Sequence, residues 1–363
     1  MQQDSRRRFL KTAAGTALGA AAGLAGAQSF DFRPAQRYPD PNVFILDPSF
    51  AKYRIYSSTI EQLGSGMRWA EGPAYFPETG TLILSDIPNN RLMKYEEKTG
   101  RFSVHRENVN YANGNTRDRQ GRLLSCEHSV TRRVVRTEKD GSMTVLADNF
   151  EGKRLNAPND IVVKSDDSIW FTDPTFGING EWEGSRAKPE QATTNVYRIQ
   201  NGQIAAMITD ILNPNGLAFS PDEKHLYVVE WRGTPNRSVW RYDVAGDNSL
   251  SNKTKLIDAG GPGAFDGLRV DRDGNLWCGW GFTGAFAAEA TDIGGGMKAH
   301  LPLGKSEEMD GVKVFNKDGK PIGFIRLPER CANLEFGGPK RNRLYMASSH
   351  SLYALYVEAH GAV

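Results

Sequence analysis

Six segments of this chain follow one plan. Each begins with a carboxylate or amide side chain, runs through a short alternating strand, turns at a cluster of Asp, Pro, Gly and Lys, and returns as a second alternating strand that often ends near an acid. The opening residues are Glu71, Asn113, Asn159, Asn215, Asp266 and Asn333, spaced 42, 46, 56, 51 and 67 positions apart. Repetition at such a period marks copies of one supersecondary unit, and a four-stranded propeller blade takes about 40–50 residues. Within the copies, Leu217 and Phe219 precede Leu226 and Val228, and Leu268 and Val270 precede Leu276 and Cys278. That is the period-2 pattern of hairpins. Further strand-like runs lie between the hairpins, at Asn195 to Ile199 and Val239 to Asp243, and no long helical period appears after the first 27 residues. All-β units that must bury their faces against neighbours close radially. The expectation is therefore an all-β fold, a six-bladed β-propeller formed as one domain by residues 28–363, with Tyr53 to Ser58 lending a strand to the last blade to close the ring. The two longer gaps predict insertions, Pro174 to Thr194 with two acids beside Trp182, and Gly281 to Asp310 with three consecutive glycines.

This arrangement gives function a location. If each copy's first strand is innermost, the openers meet at one mouth of the central channel. Glu71, Asn159, Asn215 and Asp266 would then offer two carboxylates and two amide oxygens to one axis. Hard oxygen donors of this kind suit a divalent cation, calcium first, with zinc, magnesium and manganese as alternatives. Any one of the four could be an ordinary turn residue; four at equivalent positions of a repeat make a site. The acids that end the second strands, Asp86, Glu127, Asp173 and Glu230, are expected around the same mouth but further from the axis. Asn113, the second opener, is a candidate substrate contact, and so are His128, Arg117, Trp231 and His350. Trp182 is expected on the same face, where it could stack on a sugar ring, Arg232 is with Arg117 a cationic candidate for substrate hydroxyls or carboxylates, and Asp160 is expected to point away from the cation.

The N-terminus reads as an address. Ser5-Arg6-Arg7-Arg8-Phe9-Leu10-Lys11, an Ala/Gly run and Ala25-Gly26-Ala27 form a twin-arginine export signal over residues 1–27. The run is too short and glycine-rich to span a bilayer. A periplasmic or secreted protein follows, engaged by the twin-arginine machinery during transport and free of the membrane after cleavage. With 45 basic and 43 acidic residues, the net charge of +2 predicts no nucleic-acid partner. Three cysteines without C-x-x-C spacing argue against a zinc-thiolate centre and fit buried thiols.

Several of these segments resemble a known family. Glu71-Gly72-Pro73, Pro158-Asn159-Asp160, Pro214-Asn215-Gly216-Leu217-Ala218-Phe219 and Asp266-Gly267-Leu268-Arg269-Val270-Asp271 are similar to metal-site segments of the SMP-30/gluconolactonase/luciferin-regenerating family. Leu155 to Asp160, Phe171 to Pro174, Cys331 to Leu334 and Ser351 to Val357 resemble its bacterial gluconolactonases. The resemblance implies a six-bladed propeller with one central divalent cation, usually calcium, on Glu71, Asn159, Asn215 and Asp266. It also implies a lactonase that opens a sugar lactone such as glucono-1,5-lactone. The cation would draw charge from the carbonyl, and water would be activated either by Asp266 as the catalytic base or by the cation, with Asp266 then only a ligand. No G-x-S-x-G elbow suggests a serine nucleophile, and no dinucleotide motif links a strand to a helix. Two alternatives stay open: hydrolysis of other lactones or phosphotriesters on the same fold, or a non-catalytic propeller that binds a ligand around structural calcium.

Overall fold

The computed structural model describes residues 32–362, apart from 234, 235, 286, 295 and 296. The predicted export segment therefore lies outside the described residues. Six sheets are arranged as the blades of a propeller, each running from an inner strand at the axis to an outer strand at the rim. The inner strands are, in chain order, Ala70–Phe76, Ala112–Arg117, Ile161–Val163, Pro214–Phe219, Gly263–Val270 and Cys331–Gly337. All pairing within blades is antiparallel, and each blade's first two strands are the hairpin read from the repeat, for example Leu217 opposite Val228 and Leu268 opposite Cys278. Apolar faces of adjacent blades interleave. Trp170, Leu217, Leu226 and Val228 pack together between the third and fourth blades, and Ala218, Tyr227, Leu268 and Cys278 between the fourth and fifth.

Closure differs from the sequence expectation. The strand added to the last blade is Glu61–Ser65, which pairs with Ser351–Tyr356. The predicted stretch, Tyr53 to Ser58, contributes only an isolated bridge from Arg54 to Val357, and Tyr53 ends the 3-10 turn Pro48–Tyr53. That turn is needed to bury Phe50 and Tyr53 against Trp277, so the chain reaches strand geometry later. A second N-terminal strand, Val43–Ile45, lies outside Pro321–Arg326 and makes the fifth blade five-stranded. Both expected insertions exist: the first holds the short turn Phe176–Ile178, and the second a ribbon of Thr291–Gly294 and Met297–Ala299 followed by the single helical turn Ser306–Met309. Cys126, Cys278 and Cys331 are free buried thiols, and burial pushes all three away from thiolate.

Candidate active site

Five of the six openers line one mouth, Asn333 being buried without lining it, and in every blade but the third a backbone irregularity turns the opener out of register. In the inner strands of blades one, two, four, five and six, pairing with the second strand slips at the opener: between Glu71 and Ala74, Ala112 and Asn115, Pro214 and Leu217, Phe265 and Leu268, and Cys331 and Asn333. A bulge of this kind re-aims a side chain out of the sheet's alternation. With Asn159, which precedes the third blade's inner strand, Asn113, Asn215 and Asp266 form a hydrogen-bonded arc around the axis. Asn113 Nδ2 donates to Asn159 Oδ1 at 2.6 Å, Asn159 Nδ2 to Asn215 Oδ1 at 2.8 Å, and Asn215 Nδ2 to Asp266 Oδ1 at 2.7 Å. The Asn159 and Asn215 amide oxygens each accept one bond in the arc and have a second lone pair. Glu71 faces this arc, and its carboxylate also accepts the Gly72 N–H at 2.8 Å.

Two buried carboxylates so placed repel each other. Glu71 is held well above the usual carboxylate range, first by burial and then by the charge of Asp266. Asp266 is also raised, chiefly by burial, against the opposing influence of Arg330 3.6 Å away and with Glu183 and Asp160 adding to the rise. Such a pair is relieved either by protons or by a cation. The donor chemistry therefore fits a hard divalent ion, with Glu71, Asn159, Asn215 and Asp266 as the residues able to hold it. Asp160 turns instead down the channel, 3.7 Å from buried Arg269, which in turn bonds Glu335 at 3.0 Å.

Above this arc lies a cavity of about 320 Å³. All five mouth openers just named line it, together with Trp69, Phe176, Asn179, Glu183, Trp231, Arg232 and Arg330. Trp231 meets Phe176 edge-on, with ring centres 5.3 Å apart. The insertion that carries Phe176, Asn179 and Glu183 is pinned to the end of the second blade: Ser185 N–H donates to Ser129 Oγ at 2.9 Å, and a Cβ on Gly184 would fall 2.3 Å from both the Gly177 carbonyl oxygen and Ser129 Cβ.

Other predicted contacts lie elsewhere. Arg117 is at the far end of its inner strand, paired with Glu78 and lining a separate cavity at the opposite mouth. Four residues of strand separate it from Asn113, about 13 Å at 3.3 Å per residue. His128 is buried beneath the insertion and does not line the cavity. Its Nδ1 donates to the Pro158 carbonyl oxygen at 3.1 Å, which leaves Nε2 without a hydrogen-bond partner, 3.7 Å from the Glu183 carboxylate. His350 lies on the turn of the last blade, its ring 3.1 Å from Glu329, and Trp182 is 53% exposed; neither lines the cavity. Of the closing acids, Glu127 holds the turn after its own strand, accepting from Thr131 Oγ1 and Arg133 Nε, and the other three are staples: Asp86 accepts the Arg68 N–H, Asp173 those of Asn156 and Ala157, and Glu230 that of Leu212, all at 2.8 Å. Each of these three holds the loop that leads into its own blade's opener. Trp69, Glu183 and Arg330 were missed by sequence reasoning; Trp69 and Arg330 sit two and three positions before an opener, where every such loop crosses the mouth.

A sequence profile described as the SMP-30/Gluconolactonase/LRE-like region matches residues 69–350. The chain belongs to this family. It is 27% identical over 329 residues to a gluconolactonase of Zymomonas mobilis, covering 84% of this chain and 83% of that protein. A pentonolactonase of Haloferax volcanii is 25% identical over 289 residues, covering 78% and 82%. A solved gluconolactonase structure from Xanthomonas campestris superimposes with a TM-score of 0.74 at 30% identity, covering 90% of this chain and 98% of that one. The protein is accordingly a lactone hydrolase, and the mouth cavity is where its fold places polar side chains around a buried acidic pair.

Proposed function

We propose that the enzyme is a calcium-dependent aldonolactonase that opens glucono-1,5-lactone or a related sugar lactone to its aldonic acid. The observation that carries this reading is the arc from Asn113 to Asp266 closed by Glu71, an oxygen-lined ring with an electrostatically strained carboxylate pair. A divalent ion held by Glu71, Asn159, Asn215 and Asp266 would supply Lewis-acid polarisation of the lactone carbonyl. The chain's own groups do the rest. Trp69 and Trp231 offer apolar walls for a sugar ring, while Arg232, Asn179 and Glu183 offer donors and acceptors for its hydroxyls. Asp266 receives the proton of the attacking water as the new C–O bond forms, and returns it to the ring oxygen as the lactone C–O bond breaks. With residues 1–27 read as an export signal, this hydrolysis would take place outside the inner membrane. Among the described residues, no helix is long and apolar enough to cross a membrane.

The decisive experiment couples elemental analysis to gluconolactone hydrolysis, with the spontaneous rate subtracted. Chelation is expected to remove both metal and activity, and returning calcium to restore them. Asp266→Asn is expected to lower kcat by about 100-fold or more. Full activity after complete metal removal rejects the proposal.

A further inference from the structure

Beside the mouth cavity, sharing Trp231 and Arg232 with it, is a second cavity of about 270 Å³ between the fourth and fifth blades. Its lining includes Gly260, Gly261 and Gly263 from the start of the fifth blade, and Arg232, Gly233, Asn236 and Arg237 from the fourth. A Cβ on Gly261 would meet nothing nearer than a Leu303 methyl at 4.0 Å and one on Gly260 nothing within 4 Å, so the wall is open at these two positions, whereas Gly263 is packed, a Cβ there falling 2.3 Å from the Trp280 ring.

The cationic side of this cavity is poorly compensated. The Arg237 guanidinium stacks on Trp231, 4.4 Å from the ring centre, and its Nε is buried without a hydrogen-bond partner. The charges acting on it are Arg330, Asp266 and Arg232, two cations against one anion; burial and the two cations lower its proton affinity, and Asp266 opposes them. Arg330 has its own Nε buried and unpartnered, and its ion pair is with Asp266. The acids nearby are already engaged. Glu230 accepts from Leu212 N–H at 2.8 Å and Trp240 Nε1 at 2.7 Å. Asp258 accepts from Asn236 Nδ2 at 2.8 Å and Gly260 N–H at 2.9 Å, with Lys255 3.9 Å away. Arg232 and Arg237 thus line an open space, while Asp266, the anion acting on Arg237, belongs to the acidic arc and pairs with Arg330. Arg237 is half-buried and Arg232 exposed, and planar guanidinium forks at such a rim match phosphate, sulfonate and carboxylate geometry.

We propose that this lateral cavity is an anion subsite, and that the preferred substrate is an acidic aldonolactone whose phosphate, sulfonate or carboxylate is held by Arg237 and Arg232 while its carbonyl lies over the acidic arc. The inference rests on the lactonase reading and narrows its substrate class. It also assigns Arg237 as a specificity-determining residue remote from the reacting atoms.

The test compares kcat/KM on 6-phosphoglucono-1,5-lactone, a glucarolactone and glucono-1,5-lactone at low ionic strength, for wild type, Arg237→Gln and Arg237→Lys. Wild type is expected to favour at least one acidic lactone by about 10-fold or more, and which of the two it favours identifies the anion. Arg237→Gln is expected to cost that substrate about 10- to 100-fold, mainly in KM, as for loss of a charge-assisted hydrogen bond. Glucono-1,5-lactone should change by less than about 3-fold, and Arg237→Lys should recover part of the loss. Calorimetry supplies a readout independent of turnover: wild type should bind 6-phosphogluconate or glucarate more tightly than gluconate, and Arg237→Gln should not. Equal efficiency on neutral and acidic lactones, with equal binding of their products, overturns the subsite and leaves the lactonase intact. An equal loss on all three substrates in Arg237→Gln, at unchanged melting temperature, overturns it as well, because Arg237 would then only be supporting Trp231. Hydrolysis of none of the lactones rejects the lactonase reading, and the product-binding comparison still decides the subsite.

Discussion

Glycine follows the opener in four blades, at Gly72, Gly114, Gly216 and Gly267, because inner strands crowd together at the axis. A Cβ on Gly114 would lie 2.2 Å from the Asn159 carbonyl oxygen, which accepts the Gly114 N–H at 2.7 Å. Gly114→Ala is therefore expected to push the second and third blades apart at the site, destabilising the fold by about 1–3 kcal/mol. A urea titration measures this, and an unchanged midpoint would contradict the close approach. The acidic pair gives a pH dependence of definite sign. Glu71 and Asp266 are raised above their ordinary values of 4.5 and 3.8, so in chelated protein the stability linked to their protonation is present at low pH and lost as pH rises through the folded-state values. On the proposed function, calcium would replace the protons and cancel that loss. The melting-temperature gain from calcium is thus expected to be larger at pH 8 than at pH 5, and Asp266→Asn should flatten the difference. An equal gain at both pH values would contradict charge repulsion between the two carboxylates. Asp173, pushed up to about 7 by burial, titrates in the same window and is shared by wild type and variant, so the comparison isolates the pair.

At the scale of elements, the repeat made most of the fold legible. Alternation identified the hairpins because each inner strand has an apolar environment on both sides of its blade, and Asp, Gly and Pro mark the turns where the strands reverse. The convergence of Asn113, Asn159, Asn215 and Asp266 was also legible, since equivalent positions of a repeat must share a radius. The bulges that aim Asn113, Asn215 and Asp266 were not, because alternation alone does not reveal a slipped register. Arg117 was misplaced for a related reason: four positions are few along the sequence but most of a blade's height along a strand. Histidine placement depended on loop packing, and His128 is covered by an insertion whose path no periodicity encodes. That insertion supplies Phe176, Asn179 and Glu183 to the cavity, and Gly184 is its anchor. Gly184→Val is expected to lift the insertion from Ser129 and raise KM for the lactone several-fold, with a small change in melting temperature because the blades beneath are untouched. Unchanged KM would separate this loop from substrate binding.

At the scale of the molecule, ring closure and the acidic arc are coupled. Glu71 belongs to the first blade, Asn159, Asn215 and Asp266 to the third, fourth and fifth, so a shared cation would tie together parts of the chain that only closure brings near. The clasp is N-terminal. Glu61–Ser65 completes the last blade, Arg343 reaches Glu61 at 3.2 Å, Ile60 N–H donates to Asp40 at 3.0 Å, and the Tyr53 hydroxyl donates to Asp273 at 2.6 Å. Phe50, Tyr53 and Ile60 are buried in the core that the last two blades share. This segment lacks the hairpin repeat, which is why the sequence placed the closing strand several residues too early. A chain beginning at Gly66 would lose the clasp while keeping all six inner strands and every proposed cation-holding residue. Its last blade would expose an unpaired edge at Ser351–Tyr356, a template for association. Glu71, whose strand packs directly beside that blade, would no longer be fixed relative to Asp266. A ligand stabilises a fold in proportion to how well the folded state binds it. The clasped protein is therefore expected to gain melting temperature on adding calcium, whereas the shortened chain should melt lower, aggregate more and gain little or nothing. If the shortened chain kept the full calcium-dependent gain, the site would be held by the inner strands alone, and closure of the ring would have no part in building it.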